Sequence, residues 1–377
     1  MTPSTDDSSS VLREVIARRI AQSPQHRITF AEYMDTVLYH PAHGYYAINR
    51  EKIGVQGDFF TSPYLGADFG ELLALQFVQM WEILGKPAPF SLVEMGAGQG
   101  ILAGDILKYL KQHYPDFFTV VDYTIVEKSP ALRQEQQQRL QEFSLRWCNL
   151  EEISNHSITG CFFSNELVDA LPVHQFTLQQ GQLREIYVTT KNLTPQQSST
   201  PLESPLAGGT QLSPLLSGED GRGGKGEMEG KGEIANQKDA FNTNVEFTEV
   251  IEELSTLELA KYFGLVGIKL PSSVYPDGYR SEVNLAALLW LKMVGDKLQR
   301  GYLLTIDYGY PASRYYSPTR SQGTLQCYYQ HRHHDNPYIH IGRQDITAHV
   351  DFTALERWGD RCGLQKLGFT QQGLFLM

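Results

Sequence analysis

Glu94-Met-Gly96-Ala97-Gly98-Gln-Gly100 sets three glycines two residues apart, behind an acid. Glycine reaches backbone conformations closed to other residues and leaves no Cβ in the way, so this turn lets a ligand lie against the main chain. The apolar run Ser91–Met95 before it reads as a strand. Ile101–His113 after it reads as a helix whose first N–H groups would face the same space. A carboxylate two residues ahead of the first glycine would face the cationic end of a ligand. Glu127 ends the next apolar run, Asp122–Val126, and a carboxylate there can accept both hydroxyls of a ribose.

Two cofactor classes compete for such a turn. A dinucleotide fingerprint counted from Gly96 would place its third glycine at residue 101, which is Ile. Counted from Gly98, Gly98-x-Gly100-x-x-Ala103 meets the looser form but begins too far beyond the strand. The acid-first arrangement is the form seen in S-adenosylmethionine enzymes. It makes Glu94, Gly96, Ala97, Gly98, Gly100 and Glu127 the candidate cofactor-binding residues.

Farther on, the apolar run Cys161–Ser164 ends in Asn165-Glu166-Leu-Val-Asp169-Ala-Leu-Pro172. Glu166 and Asp169 are three apart and share a face on a helical turn. A guanidinium carries charge and five N–H donors, so two carboxylates are what it needs. They would hold its plane, aim one nitrogen at the methyl group and favour proton loss as the bond forms. For Asp169, capping or another structural bond is the competing role.

These residues need elements to position them. Strand-like runs alternate with helical ones: Ser91–Met95, helix 101–113, Asp122–Val126, helix Ala131–Phe143, Leu145–Asn149, Cys161–Ser164 and Tyr302–Ile306. Phe369–Leu376 reads as a last edge strand. The alternation predicts a doubly wound, mostly parallel α/β sheet of Rossmann-like type, with a substrate lobe. Ligands in such sheets bind beyond the carboxyl ends of the strands, near the order reversal. Residues 1–85 read as a helical N-terminal segment, with helices at Val11–Ile20, at Ile28–Leu38 behind a Thr29 cap with Glu32 at capping-box spacing, and between Gly70 and Gly85. The main domain would then be 86–191 and 243–377. Between them, 192–242 is rich in Pro, Ser, Gly and Glu and reads as a disordered insertion between the strand Leu183–Thr189 and ordered chain from Val245.

Composition removes several classes of function. The 377 residues carry a formal charge of -11, a poor match to nucleic acid and a good one to a basic protein partner. Four cysteines without a C-x-x-C pair signal neither zinc nor a redox motif and point to a reducing compartment. Met1–Ser10 is polar and acidic, unlike a signal or transit peptide, and no apolar run is long enough to span a membrane, so the expectation is a cytoplasmic protein.

Taken together, the stretches Ile28–Met34, Tyr39–Tyr46, Gly57-Asp-Phe-Phe-Thr-Ser-Pro63, Glu94–Gly100, Ser164–Glu166 with Asp169–Pro172, Ile306-Asp-Tyr-Gly309 and Asp345–Phe352 resemble the MidA-type methyltransferases. The mitochondrial member of that family is an arginine methyltransferase that assists assembly of respiratory complex I. The resemblance implies that the 57–63 loop closes over the cofactor, bringing Asp58, Thr61, Ser62 and Pro63 to it. It implies that Asn165 and Glu166 face the substrate, and it adds His349 and Asp351 as pocket candidates. It also implies S-adenosylmethionine as cofactor and a protein with an exposed arginine as partner. The insertion departs from the family pattern and leaves the target open. His331, His333, His334 and His340 read as a solvated loop, so no metal is expected. The competing functions are methylation of another side chain or a small molecule, and a non-catalytic assembly factor that binds the cofactor.

Overall fold

The computed structural model describes residues 5–48, 66–191 and 245–376. The chain opens with helix α1 (Thr5–Gln22), a short strand β1 (Ile28–Thr29) and helices α2 (Phe30–Tyr39), α3 (Tyr45–Ile48) and α4 (Asp68–Ile83). Thr29 does cap α2, its Oγ1 accepting from the Glu32 N–H at 3.1 Å. The box is only half closed, because the Glu32 carboxylate pairs with Arg19 of α1 at 2.7 Å.

The next stretch builds the central sheet. It runs through β2 (Phe90–Met95), α5 (Ile101–His113), α6 (Pro115–Val120), β3 (Val121–Val126), α7 (Pro130–Arg139), β4 (Arg146–Cys148) and β5 (Ile158–Asn165). A second sheet follows with β6 (His174–Gln179), β7 (Gln182–Thr190), β8 (Phe247–Glu252), helix α8 (Leu257–Val266) and β9 (Arg280–Val283). Helix α9 (Leu285–Lys297) then leads back to the central sheet at β10 (Leu298–Ile306). Short elements close the chain: β11 (Gly309–Tyr310), α10 (Ala312–Tyr315), β12 (Gln326–Tyr329), β13 (Arg332–His334), β14 (Asp345–Thr347), β15 (Val350–Asp351), α11 (Phe352–Arg361) and α12 (Gln372–Phe375).

The central sheet has the order β10-β5-β2-β3-β4, with every pair parallel. The order reverses between β2 and β5, where a crevice opens at the strands' carboxyl ends. Those ends are level, with Met95 opposite Val126 on one side and Ser164 on the other, and Asn165 opposite Ile306. Alternate side chains point to opposite faces. Leu92, Ile125 and Phe163 pack under α4 and α5 with Leu73, Phe77 and Ile106. Val93, Met95 and Phe162 pack under α9 with Trp290, Leu291 and Val294. Helices thus cover both faces, as the alternation of elements required.

The lobe expected to receive the substrate takes a form that the periodicity did not specify. It is an antiparallel sheet of order β1-β7-β6-β9, with β8 also on β7. The N-terminal helices pack onto it, Leu12, Ile16, Tyr33 and Val37 burying against Val188 and Phe247. Residues 12–45 therefore contribute to this lobe's core. β7 pairs with β8 up to Thr190↔Phe247, so the segment between them departs from the end of a hairpin. That segment, 192–242, lies outside the described residues. Two expectations need correction. The helix expected over Ala131–Phe143 ends at Arg139. Phe369–Leu376 is not an edge strand: 365–371 has no regular structure and Gln372–Phe375 forms a short helix. A short apolar run cannot by itself tell a strand from a helical turn.

Candidate active site

A cavity of about 430 Å³ lies at the order reversal, against the ends of β2, β3 and β5. Glu94, Gly96, Ala97 and Gly98 form its floor, Glu127 to Ser129 one side, and Asn165 with Glu166 the other. Gly96 and Gly98 have φ of +72° and +53°, the left-handed region that favours glycine. A Cβ on Gly98 would meet nothing within 4 Å, so a ligand can approach its backbone freely. Gly100 plays a different part from the one expected. It caps α5 with φ +77°, and a Cβ there would press on Leu140 at 3.2 Å and Gln136 at 3.4 Å. It shapes the turn from behind and is absent from the cavity wall.

Both cofactor acids are buried. Glu94 accepts a 2.6 Å hydrogen bond from the Tyr123 hydroxyl. Burial pushes its pKa up to about 7, against the lowering effect of that bond. The Glu127 carboxylate accepts from the Ser129 N–H at 2.8 Å and from Gln136 Nε2 at 3.2 Å, and burial raises its pKa too. These donors fix its plane beside the cavity. The donor set fits a nucleoside sulfonium ligand: an acid for the cationic amino-acid end, a glycine turn for close approach, and an oriented acid for the ribose.

On the other wall, Glu166 follows β5 with φ +52°, a conformation costing about 1–3 kcal/mol in a non-glycine residue. Such strain persists only where neighbours impose it, and Asp307 does so. Its Oδ2 accepts from the Val168 N–H at 2.8 Å and the Asp169 N–H at 3.4 Å, and its Oδ1 from the Tyr308 N–H at 2.8 Å. The Glu166 N–H itself donates to Ile306 O at 2.8 Å. Asn165 Nδ2 leans on Glu166 Oε1 at 3.4 Å, while Asn165 Oδ1 is buried without a partner.

Asp169 does not line the cavity but sits behind it among acids. Burial raises its carboxyl well above the usual range, and Asp307, Asp345 and Glu166 add to the rise. Its Oδ1 is buried without a hydrogen-bond partner. Burial brings Asp307 up to about 6. Tyr308, 52% exposed, stands at the edge of this group, its hydroxyl pushed up to about 12 by burial and by Glu166, Asp169 and Asp307. Glu166 therefore joins the cofactor cavity to a cluster of carboxylates fit for a cation.

The two later candidates fall elsewhere. Asp351 is the N-cap of α11: its Oδ1 accepts from the Thr353 and Ala354 N–H groups at 3.0 and 3.2 Å, and its Oδ2 from Tyr262 at 3.0 Å. These bonds give it a structural role and it does not line the cavity, so the catalytic pocket role expected for it is withdrawn. His349 stacks on Tyr310, centroids 5.0 Å apart, away from the cavity. Asp58, Thr61, Ser62 and Pro63 lie outside the described residues. Among the described residues, no group of three or more His, Cys, Asp or Glu could hold a metal ion, and no helix is long and apolar enough to cross a membrane. The four cysteines are free.

Several residues escaped the sequence reading. Gln136, fully buried on α7, donates to Gly98 O at 2.8 Å and to Glu127, and accepts from Trp147 Nε1 at 3.0 Å, tying the glycine turn to the second acid. A polar residue on a polar helix carries no signal of this. Leu150 and Glu151, after β4, complete the wall. Tyr39 and Tyr46 close it from the N-terminal lobe, their rings stacked at 5.3 Å, with Tyr39 bonded to Ala170 O and Tyr46 to Asp345 Oδ1, each at 2.9 Å. Asp307 carried a signal, since it follows the end of a strand.

Residues 72–370 match the family described as S-adenosyl-L-methionine-dependent methyltransferase. The protein arginine methyltransferase NDUFAF7 homolog of Drosophila melanogaster is 28% identical, over 97% of this chain and 74% of that one. The protein arginine methyltransferase NDUFAF7 of Mus musculus is 28% identical, over 93% of this chain and 70% of that one. Among solved structures, a superfamily member from Burkholderia thailandensis bound to S-adenosyl-homocysteine superposes with a TM-score of 0.72. It is 27% identical, and the match covers 96% of this chain and 78% of that one.

Proposed function

The chain belongs to the S-adenosyl-L-methionine-dependent methyltransferase family, and from that premise we propose that its acceptor is an arginine side chain of a protein. The observation that carries this reading is the position of Glu166, which lines the cofactor cavity and also borders the acid group of Asp169, Asp307 and Asp345. Bound adenosylmethionine supplies an electrophilic methyl group. Glu94 would hold its amino-acid end, Glu127 its ribose, and the Gly96–Gly98 backbone would let it lie close.

The remaining work falls to the acceptor wall. The Glu166 carboxylate accepts guanidinium N–H bonds and fixes which nitrogen faces the cavity. Transfer of the methyl group to that nitrogen would break the carbon–sulfur bond and release a proton from the nitrogen. The Glu166 carboxylate, on the cavity wall, is placed to accept it, with Asp169 and Asp307 behind it. Asp307 holds the backbone that keeps Glu166 in position. Tyr39 and Tyr46 shield the site from water. The names of the NDUFAF7 relatives support the same reading. A part in assembling a respiratory complex belongs to the proposal through the sequence resemblance alone.

The test is to incubate the protein with isotope-labelled adenosylmethionine and a cell extract, then locate the label by mass spectrometry. Methylated arginine is expected. Label confined to other residues or to small molecules would overturn the assignment.

A further inference from the structure

Beside the acid group lies a cluster of opposite charge that the methyl-transfer site does not use. The guanidiniums of Arg314 and Arg320 each sit 4.5 Å from the centre of the Tyr310 ring, and His349 stacks on that ring nearly parallel, at 4°. Neither arginine has a carboxylate partner among the described residues. Arg320 Nε is buried with no hydrogen-bond partner. In a chain of net charge -11, two unpaired guanidiniums drawn onto one ring are out of keeping with their surroundings. They repel each other, and a buried guanidinium N–H left unbonded is costly. An anion held near both guanidiniums would offset that repulsion. Burial, with Arg320 nearby, lowers the His349 pKa, so the imidazole adds an aromatic face without a third charge.

The cluster is joined to the acceptor wall by two chain segments. One carries Asp307 and Tyr308 at the acids and Tyr310 at the arginines. The other carries Asp345 at the acids and His349 at Tyr310. They pair side by side, Gly309 with Val350 and Tyr310 with Asp351, and the Val350 N–H donates to Tyr308 O at 2.7 Å. Asp307 and Tyr310 stand three residues apart, so their Cα atoms are at most about 10 Å from one another.

We propose that Arg314 and Arg320, braced on Tyr310, bind a side-chain carboxylate of the protein substrate about three residues from the arginine that enters the acid group. The inference rests on the protein arginine reading above. It gives the enzyme a two-point contact, a cation held by acids and an anion held by arginines, and so defines a class of substrate segment in which a basic and an acidic residue stand close together.

Two measurements test it. The first needs no turnover: the arginine-free peptide Ac-Asp-Ala-Asp-Ala-NH2 is titrated into histidine-labelled protein, and the His349 ring resonances are followed. A saturable shift is expected in the wild type and its loss in Arg314→Gln/Arg320→Gln. No shift, or the same shift in the double variant, overturns the anion site. Arg314→Lys/Arg320→Lys retains charge without the bidentate fork and should bind the peptide with intermediate affinity, which separates recognition from misfolding. The second compares peptides that carry Arg with Asp or Asn three residues away. The KM for the Asp peptide should rise about tenfold in the Gln double variant while that for the Asn peptide changes less than about twofold. Equal effects on both peptides overturn the spacing. A positive titration with no methylation of either peptide leaves the anion site standing and overturns the arginine assignment.

Discussion

On the cofactor side of the cavity, Glu94, Gly96, Gly98 and Glu127 lie within one stretch of chain, at the ends of two neighbouring strands. On the acceptor side, Glu166, Asp307 and Asp345 come from three segments spread over half the sequence, brought together by β5, β10 and β14. The first half is made largely of backbone, a turn whose shape glycine permits. The second is made of carboxylates that repel one another and hold a strained residue. Local geometry suffices to receive a ligand that is the same in every turnover. Directing a reaction onto one acceptor takes charges that only the whole fold can bring together.

Breaking the acceptor half should cost most. Glu166→Gln preserves volume and one acceptor but removes the charge proposed to pair with a guanidinium. Turnover on an arginine-containing substrate should fall on the order of 10²–10⁴-fold while adenosylmethionine affinity stays within about threefold. Near-normal turnover would show that the acceptor is of another chemistry.

The cofactor half should answer through affinity and through pH. Glu94→Gln removes a charged hydrogen-bond acceptor, a loss of about 1.5–3 kcal/mol or roughly 10- to 100-fold in adenosylmethionine affinity. In the wild type Glu94 is raised to about 7 by burial. The carboxylate is the form that takes a cation, so below that pH it must first release a proton. Affinity should therefore rise as pH increases through 7 and level off above it, and the Gln variant should lose this step. Calorimetry between about pH 6 and 8 decides it. Tyr123→Phe removes the hydrogen bond that lowers this pKa and should move the step upward.

Gln136→Leu should act on the cofactor half at one remove. It frees Gly98 O and leaves the Trp147 N–H unpaired, a cost of about 1–3 kcal/mol in stability, with affinity lower by roughly three- to tenfold. Denaturant unfolding and calorimetry read the two effects separately.

The two smallest effects mark the limits of both halves. Asp351→Ala removes a helix cap and should cost about 0.5–2 kcal/mol in stability with turnover changed less than about twofold. A collapse in kcat with stability intact would return Asp351 to the catalytic set. Replacing residues 196–238 with a short Gly-Ser link should change neither melting temperature nor cofactor affinity, because a segment of that composition has little apolar surface to bury. A drop in either would show that it packs on the fold.

The shape of the cofactor half was legible in the sequence. Glycine's freedom at positive φ and the acid at each strand end are local properties, and a parallel sheet brings successive strand ends to one edge. The sequence also placed Asn165-Glu166 at the end of a strand, where both line the cavity. The tertiary structure decided what the remaining acids do. Asp169, Asp307 and Asp351 are alike as letters, yet one is left with an unpartnered oxygen beside other acids, one clamps a loop and one caps a helix. Those roles depend on which N–H groups and charges come within hydrogen-bond reach. The antiparallel lobe and the stacking of Tyr39 on Tyr46 at the cavity wall were hidden for the same reason. Hydrophobic period sets which face of an element is buried, while its partner is chosen by packing between segments remote in the chain.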